Sequence, residues 1–129
     1  MSGLEAIVNK ILIAEGKKFE REKQLTTIYN GLYRADFLLP KEKIEIEVNG
    51  VQHYEYTKIF HKNRSEFLKA KERDRRKLKG LIAAGYTVYC IPYWEIDNIH
   101  TFADLTSEKF HATSQYHNDI VWREHQKCK

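Results

Sequence analysis

The chain has only two cysteines and two prolines in 129 residues, and no apolar run approaches the roughly 18–20 residues that a membrane-spanning helix needs. Cys90 and Cys128 form no CxxC pair and have no histidine at metal-ligand spacing. The histidines at 100, 111, 117 and 125 do not have the spacing of a zinc site either. Cys90 lies in an apolar run and reads as a small buried hydrophobe. There is no Pro/Gly/Ser-rich linker, low-complexity tract or internal repeat, so residues 1–129 are expected to form one domain. The opening Met-Ser-Gly-Leu-Glu has neither the basic nor the apolar stretch of a secretory signal. The expected setting is therefore intracellular and reducing, with no membrane partner.

What is present describes a globule: 42% of residues are hydrophobic and 31% charged. The net charge of +4 is unevenly spread. Ten basic residues lie between Lys58 and Lys79, opposed there only by Glu66, Glu72 and Asp74. Such an excess can neutralise phosphates and drive association through counterion release, although a solvated helix face has the same composition.

Ser2 and Glu5 have the form of a capping box, and Leu4, Ile7, Val8, Ile11 and Leu12 follow at helical spacing. This predicts a helix over residues 3–15, stopped by Gly16. Residues 19–28 read as an exposed edge strand, Asn30-Gly31 as a hairpin turn, and residues 32–39 as a strand ended by Pro40. From Ile44 to Asn49 the pattern alternates. Ile44, Ile46 and Val48 share one face, and Glu45, Glu47 and Asn49 share the other. Residues 51–63 have no clean period. A basic helix is predicted over residues 64–84, stopped by Gly85, and a strand over 86–91. A last helix is expected near residues 115–126, with Ile120 and Val121 inward. Helix, three strands, helix and strand imply an α/β layered domain, with a core of about residues 3–94 and a C-terminal helical tail over 95–129.

Asp36 and Glu47 stand near the ends of consecutive predicted strands, so a hairpin would bring their carboxylates together. Two carboxylates, a backbone carbonyl (that of Val48) and water are the oxygen-rich set that Mg²⁺ prefers, and a metal there could polarise a phosphate and activate water. His53, just beyond Gly50, could transfer the proton, while Gln52 could position water but not exchange protons near neutral pH. Asp74 falls on the apolar stripe of Phe67, Leu78 and Leu81, where a carboxylate needs a partner. That partner is either Arg34 in a buried ion pair, or His53 and the metal. Glu5 can be explained by capping alone or as a water-mediated metal ligand.

Taken together, Glu5 on a first helix, Arg34-Ala35-Asp36-Phe37, the run Ile46-Glu47-Val48-Asn49-Gly50-Val51-Gln52-His53-Tyr54, Arg73-Asp74-Arg75-Arg76, and Gly85-Tyr86-Thr87-Val88-Tyr89-Cys90-Ile91 resemble a known family. It is the very-short-patch-repair (Vsr-like) branch of the PD-(D/E)XK superfamily, which includes phage homing endonucleases with an EDxHD signature. The resemblance covers residues 4–94. It implies a restriction-endonuclease-like core, with a mixed four-stranded sheet between helices in αβββαβ order, and a setting in bacterial cytoplasm or a phage-infected cell. It also implies Mg²⁺-dependent cutting or nicking of DNA, with Mn²⁺ as a substitute metal. Glu5 becomes the first-helix acid, Asp36 the main metal ligand, His53 the signature histidine and Asp74 the signature aspartate. Glu47 resembles the acid of the wider superfamily's E-x-K, but the lysine position is Asn49, which cannot supply that charge.

Two functions follow as expectations. In the first, a DNA endonuclease uses Asp36, Glu47, His53 and Asp74, with Glu5 and Gln52 in support. Lys58, Lys62, Arg64, Lys71, Arg75, Arg76 and Lys77 grip the backbone, and Tyr54, Tyr56 and Phe60 stack on bases or wedge between them. In the second, a catalytically silent module keeps the fold and binds nucleic acid, a reading that Asn49 favours. Recognition of a long site by so short a chain would call for a homodimer or an added partner domain.

Overall fold

In a computed structural model, residues 2–26, 32–113 and 117–128 are described. The Asn30-Gly31 turn lies outside them. Helix α1 (Gly3–Ala14) is followed by strands β1 (Glu20–Thr26), β2 (Leu32–Leu39) and β3 (Ile44–Asn49), then helix α2 (Arg64–Ala83) and strand β4 (Thr87–Pro92). The sheet runs β1-β2-β3-β4, antiparallel across the first three strands and parallel between β3 and β4. The αβββαβ order is the one the residue pattern predicts, and the mixed four-stranded sheet flanked by helices is the architecture the family resemblance implies. β1 is an edge strand, as its polar sequence predicts.

The period-two alternation decides what each face meets. Phe37 and Leu39 of β2, Ile46 and Val48 of β3 and Ile91 of β4 pack against Leu4, Val8, Ile11 and Leu12 of α1. Burying each of these four helix side chains contributes about 1.5–3 kcal/mol. On the opposite face, Leu78 and Leu81 of α2 cover Val88 and Cys90 of β4, so Cys90 is the buried hydrophobe its context predicts.

Two glycines end the helices that sandwich the sheet. Gly16 has φ +68° and Gly85 φ +92°, in the left-handed region. Gly85 donates its N–H to the carbonyl of Ile82, and Tyr86 donates to that of Leu81 at 3.1 Å, so the last turn of α2 is closed and the chain enters β4 directly.

Beyond Trp94 the chain adds more than a tail. A 3₁₀ turn (Tyr93–Asn98), a short helix α3 (Phe102–Leu105) and a second turn (Glu108–Phe110) deliver Ile99, Leu105 and Phe110 into the α1-side core. The core therefore extends past the boundary expected from sequence. Helix α4 (His117–Lys127) follows. Ile120 is exposed, contrary to the inward position expected for it, while Val121 is half-buried. The helix turns Trp122 inward instead, where its ring stacks on Tyr54 at 5.9 Å between centroids.

Candidate active site

Asp36, Glu45, Glu47 and Asn49 all point to the α2 face of the sheet, because they occupy the strand positions that alternate with the α1-side core. This face is covered rather than open. Glu45, Glu47 and Asn49 are all buried.

The backbone around Asp36 is interrupted on both sides. Toward β1 the pairing omits the Glu22–Asp36 position, and Glu22 is held at φ +50°. Toward β3 the ladder ends at Phe37–Ile46, and the N–H of Val48 is donated to Asp36 Oδ2 at 2.9 Å. A carboxylate thus takes a hydrogen bond at the point where strand pairing stops. Left-handed backbone at a non-glycine residue costs about 1–3 kcal/mol and gathers at functional sites.

Lys77 completes the cluster. Its Nζ lies 2.5 Å from Glu47 Oε1 and also donates to the backbone carbonyl of Arg34. This corrects the assignment of Lys77 to the DNA grip: its side chain is directed into the carboxylates, not outward. It also brings a lysine ammonium to the site although the strand position is Asn49. The amide of Asn49 is committed elsewhere, to Tyr54 Oη at 3.3 Å and Asn118 Oδ1 at 3.1 Å.

Three carboxyl groups around one ammonium cannot all ionise cheaply. Burial, then the charge of Glu47, push the Asp36 carboxyl up to about 7, against the pull of Lys77 and the Val48 amide. The same two causes raise Glu45 well above the carboxylate range, and its oxygens meet no donor among the described residues beyond a proton shared with Glu47. Glu47 is the group that keeps its charge. Burial works against it, but Lys77 and hydrogen bonds from Glu45, Lys77 and Asp36 outweigh burial and hold it below its usual range. The charge of these acids in turn raises Lys77 above the ordinary lysine range despite its burial.

Beside this cluster, His53 Nδ1 lies 2.9 Å from Asp74 Oδ2. An ionised carboxylate only accepts, so the ring N–H donates and Nε2 is left for chemistry. Burial lowers the proton affinity of the ring, but the Asp74 hydrogen bond and charge, with smaller contributions from Glu47 and Asp36, carry it above the usual histidine value. Of the two partners considered for Asp74, His53 is the one found, not Arg34.

The remaining candidates spread outward. The carboxylate of Glu5 accepts from Arg21 Nη2 at 3.0 Å, so capping does not account for it, although its N–H does donate to Ser2 Oγ. Glu5, Val48, Gly50, Gln52 and Phe60 line an open hollow of about 400 Å³ beside the end of β3. Gly50 is extended, with φ −75°. A Cβ there would stand 2.5 Å from Gln52 Oε1, the end of a flexible side chain that can swing aside, so neither backbone conformation nor close packing demands glycine. Lys58, Lys62, Arg64 and Arg76 are exposed, and Lys71 and Arg75 pair with Asp119 of α4. Tyr54 cannot stack on bases as expected, because it is buried beneath Trp94 and Trp122. Tyr56 stacks on His61, and Phe60 is exposed beside the still more exposed Ile59.

Glu45 and the inward direction of Lys77 lie outside the expectations drawn from sequence. Both signals were present: Glu45 shares the Glu47 face by period two, and Lys77 stands three residues after Asp74 and four before Leu81 on the inward stripe.

The carboxylate oxygens of Asp36 and Glu47 are donors of the kind a hard divalent cation takes. Among the described residues no three His, Cys, Asp or Glu side chains form a ready metal-binding group. A cation bound here would have only Asp36 and Glu47 as side-chain ligands, completed by the Val48 carbonyl and water.

No family model matches the chain. A viral protein, "Uncharacterized protein 307L" of Invertebrate iridescent virus 6, is 34% identical over 79 residues. The match takes in 56% of this chain and spans only 40% of that protein's length. The catalytic domain of homing endonuclease I-Bth0305I superposes with a TM-score of 0.52 at 24% identity, over 98% of this chain and 93% of that one. The chain therefore has a nuclease-like fold, that of a homing endonuclease catalytic domain.

Proposed function

We propose that this chain is a Mg²⁺-dependent DNA endonuclease of the Vsr-like, EDxHD type. The observation that carries the reading is the Asp36 carboxylate at the broken end of the β2–β3 ladder, packed against Glu47 with Lys77 and the His53–Asp74 pair beside it. A bound Mg²⁺ or Mn²⁺ would supply Lewis acidity toward a phosphate oxygen and lower the pKa of water. Asp36 and Glu47 hold the cation. Lys77 holds Glu47 in its ionised form and places a positive charge where charge develops during attack on phosphorus. His53, whose proton affinity Asp74 raises, presents Nε2–H to the departing oxygen as general acid. The exposed Lys58, Lys62 and Arg64 meet the DNA backbone, and the hollow beside Gly50 receives the strand.

The alternative of a silent binding module drew on Asn49. Lys77 weakens it, because the missing charge comes from α2.

The test is cleavage of supercoiled plasmid with Mg²⁺ by the parent, Asp36→Asn, His53→Ala and Lys77→Met. The parent nicks or linearises the plasmid, and each variant loses about a hundredfold or more. Equal cleavage by Asp36→Asn, or none by a folded parent that binds DNA, sinks the reading.

A further inference from the structure

The amino-terminal turn of α4 lies against the inward side of α2. Asp119 offers one carboxylate oxygen, Oδ1, to Lys71 Nζ and the other to Arg75 Nη2, the latter at 2.6 Å. Both cations stand on the Asp74 face of α2, at positions 71, 74, 75 and 78, whereas Lys69, Arg73 and Arg76 are exposed on the rest of the helix. His53, Lys71, Asp74, Arg75, Asn118 and Asp119 enclose one small space of about 10 Å³. That is less than a phosphate needs and about the minimum for a single water. The neighbouring residue Asn118 accepts from Asn49 and helps close a second space, of about 20 Å³, next to Glu47 and Lys77. The start of α4 is thus seated on the flank of the candidate active site.

Resting on the nuclease reading, we propose that Lys71 and Arg75 form a phosphate clamp beside His53, and that Asp119 occupies it as an internal substitute for a DNA backbone phosphate. Two anionic oxygens shared between a lysine and an arginine reproduce the contacts a phosphodiester makes through its two non-bridging oxygens. A DNA phosphate entering the clamp leaves both cations paired, so Asp119 is exchanged for it rather than merely stripped away. The rest of α4 allows this exchange. No residue of the helix is fully buried, and besides the Asn49–Asn118 hydrogen bond it is held by aromatic contacts, among them Trp122 with Tyr54 and Trp94 and His125 stacked on Trp94 at 4.0 Å. An element held this way opens more readily than the core. Asp119 therefore lowers DNA affinity by the cost of vacating the clamp.

The test measures binding of a fluorescein-labelled DNA duplex of about twenty base pairs in EDTA by anisotropy, so that cleavage plays no part. Asp119→Asn keeps the shape and removes the charge. It binds about three- to tenfold more tightly than the parent, the gain from releasing two partly exposed ion pairs. That gain disappears when Lys71→Met is added, because both changes act on one clamp. Asp119→Glu keeps the charge and binds like the parent. Tryptophan emission follows the docking of Trp122 in every variant. Unchanged or weaker binding by Asp119→Asn with parental emission overturns the proposal. So does equal tightening by Asp119→Glu, or failure of both parent and Asp119→Asn to bind DNA. Tighter binding by Asp119→Asn without plasmid cleavage by the parent supports the clamp while removing the nuclease reading.

Discussion

Asp74 sets the proton affinity of His53 through one 2.9 Å hydrogen bond and its charge, against the burial of the ring. Asp74→Asn removes the charge and leaves the burial, so the imidazole pKa falls. The sign matters for the role. A lower pKa empties the acid form near neutrality, and the alkaline limb of the cleavage profile moves to lower pH. Titration of the His53 ring protons by NMR checks this independently of turnover, and an unmoved midpoint contradicts it. Lys77 acts on the neighbouring acids in the same electrostatic way. Its place in the cluster was legible only in part. The sequence put Asp74, Leu78 and Leu81 on one stripe and left Lys77, between them, among ten basic residues that looked alike. A lysine is normally placed in water. Only the carboxylates opposite it, which come from another part of the chain, explain why this one turns inward.

At the scale of elements, local chemistry was the readable part. The spacing of Leu4, Val8, Ile11 and Leu12 specifies α1 and its buried face, and the alternation of β3 specifies which side carries the acids. Both helix stops are glycines in left-handed conformation. Gly85→Ala places a Cβ in that region between α2 and β4, where the surrounding space is open. The cost is therefore conformational, about 1–2 kcal/mol, read as a lower urea midpoint with unchanged slope. A midpoint equal to the parent's contradicts the assignment. What local chemistry left hidden was coverage. Nothing within the six residues of β3 reports that α2 will lie across its polar face. The seating of α4 through Asn118, Asp119 and Trp122 is likewise long-range and has no periodic signature.

At the scale of the whole molecule, the buried acids tie stability to pH and to cations. Asp36 titrates near 7 in the folded chain, against an ordinary 3.8. Between those values the folded protein keeps a proton that the unfolded chain has released, so stability falls as pH rises from about 4 through 7. His53, raised above its ordinary value, changes stability in the same direction. Its contribution is complete below about 6.5 and is lost as pH passes its folded value. If Mg²⁺ binds Asp36 as proposed, it competes with the Asp36 proton and raises the melting temperature more at pH 8 than at pH 5. Thermal melts at the two pH values check this, and an equal or larger gain at pH 5 contradicts it.

The most direct measurement is a Mn²⁺ titration followed by the loss of the free-ion EPR signal, comparing the parent with Asp36→Asn at pH 7.5. The parent is expected to take up the cation, and the variant, still folded, to lose at least about tenfold in affinity. Mn²⁺ uptake by Asp36→Asn equal to the parent's, or none by the parent, would contradict the claim that the carboxylates of β2 and β3 share a catalytic cation.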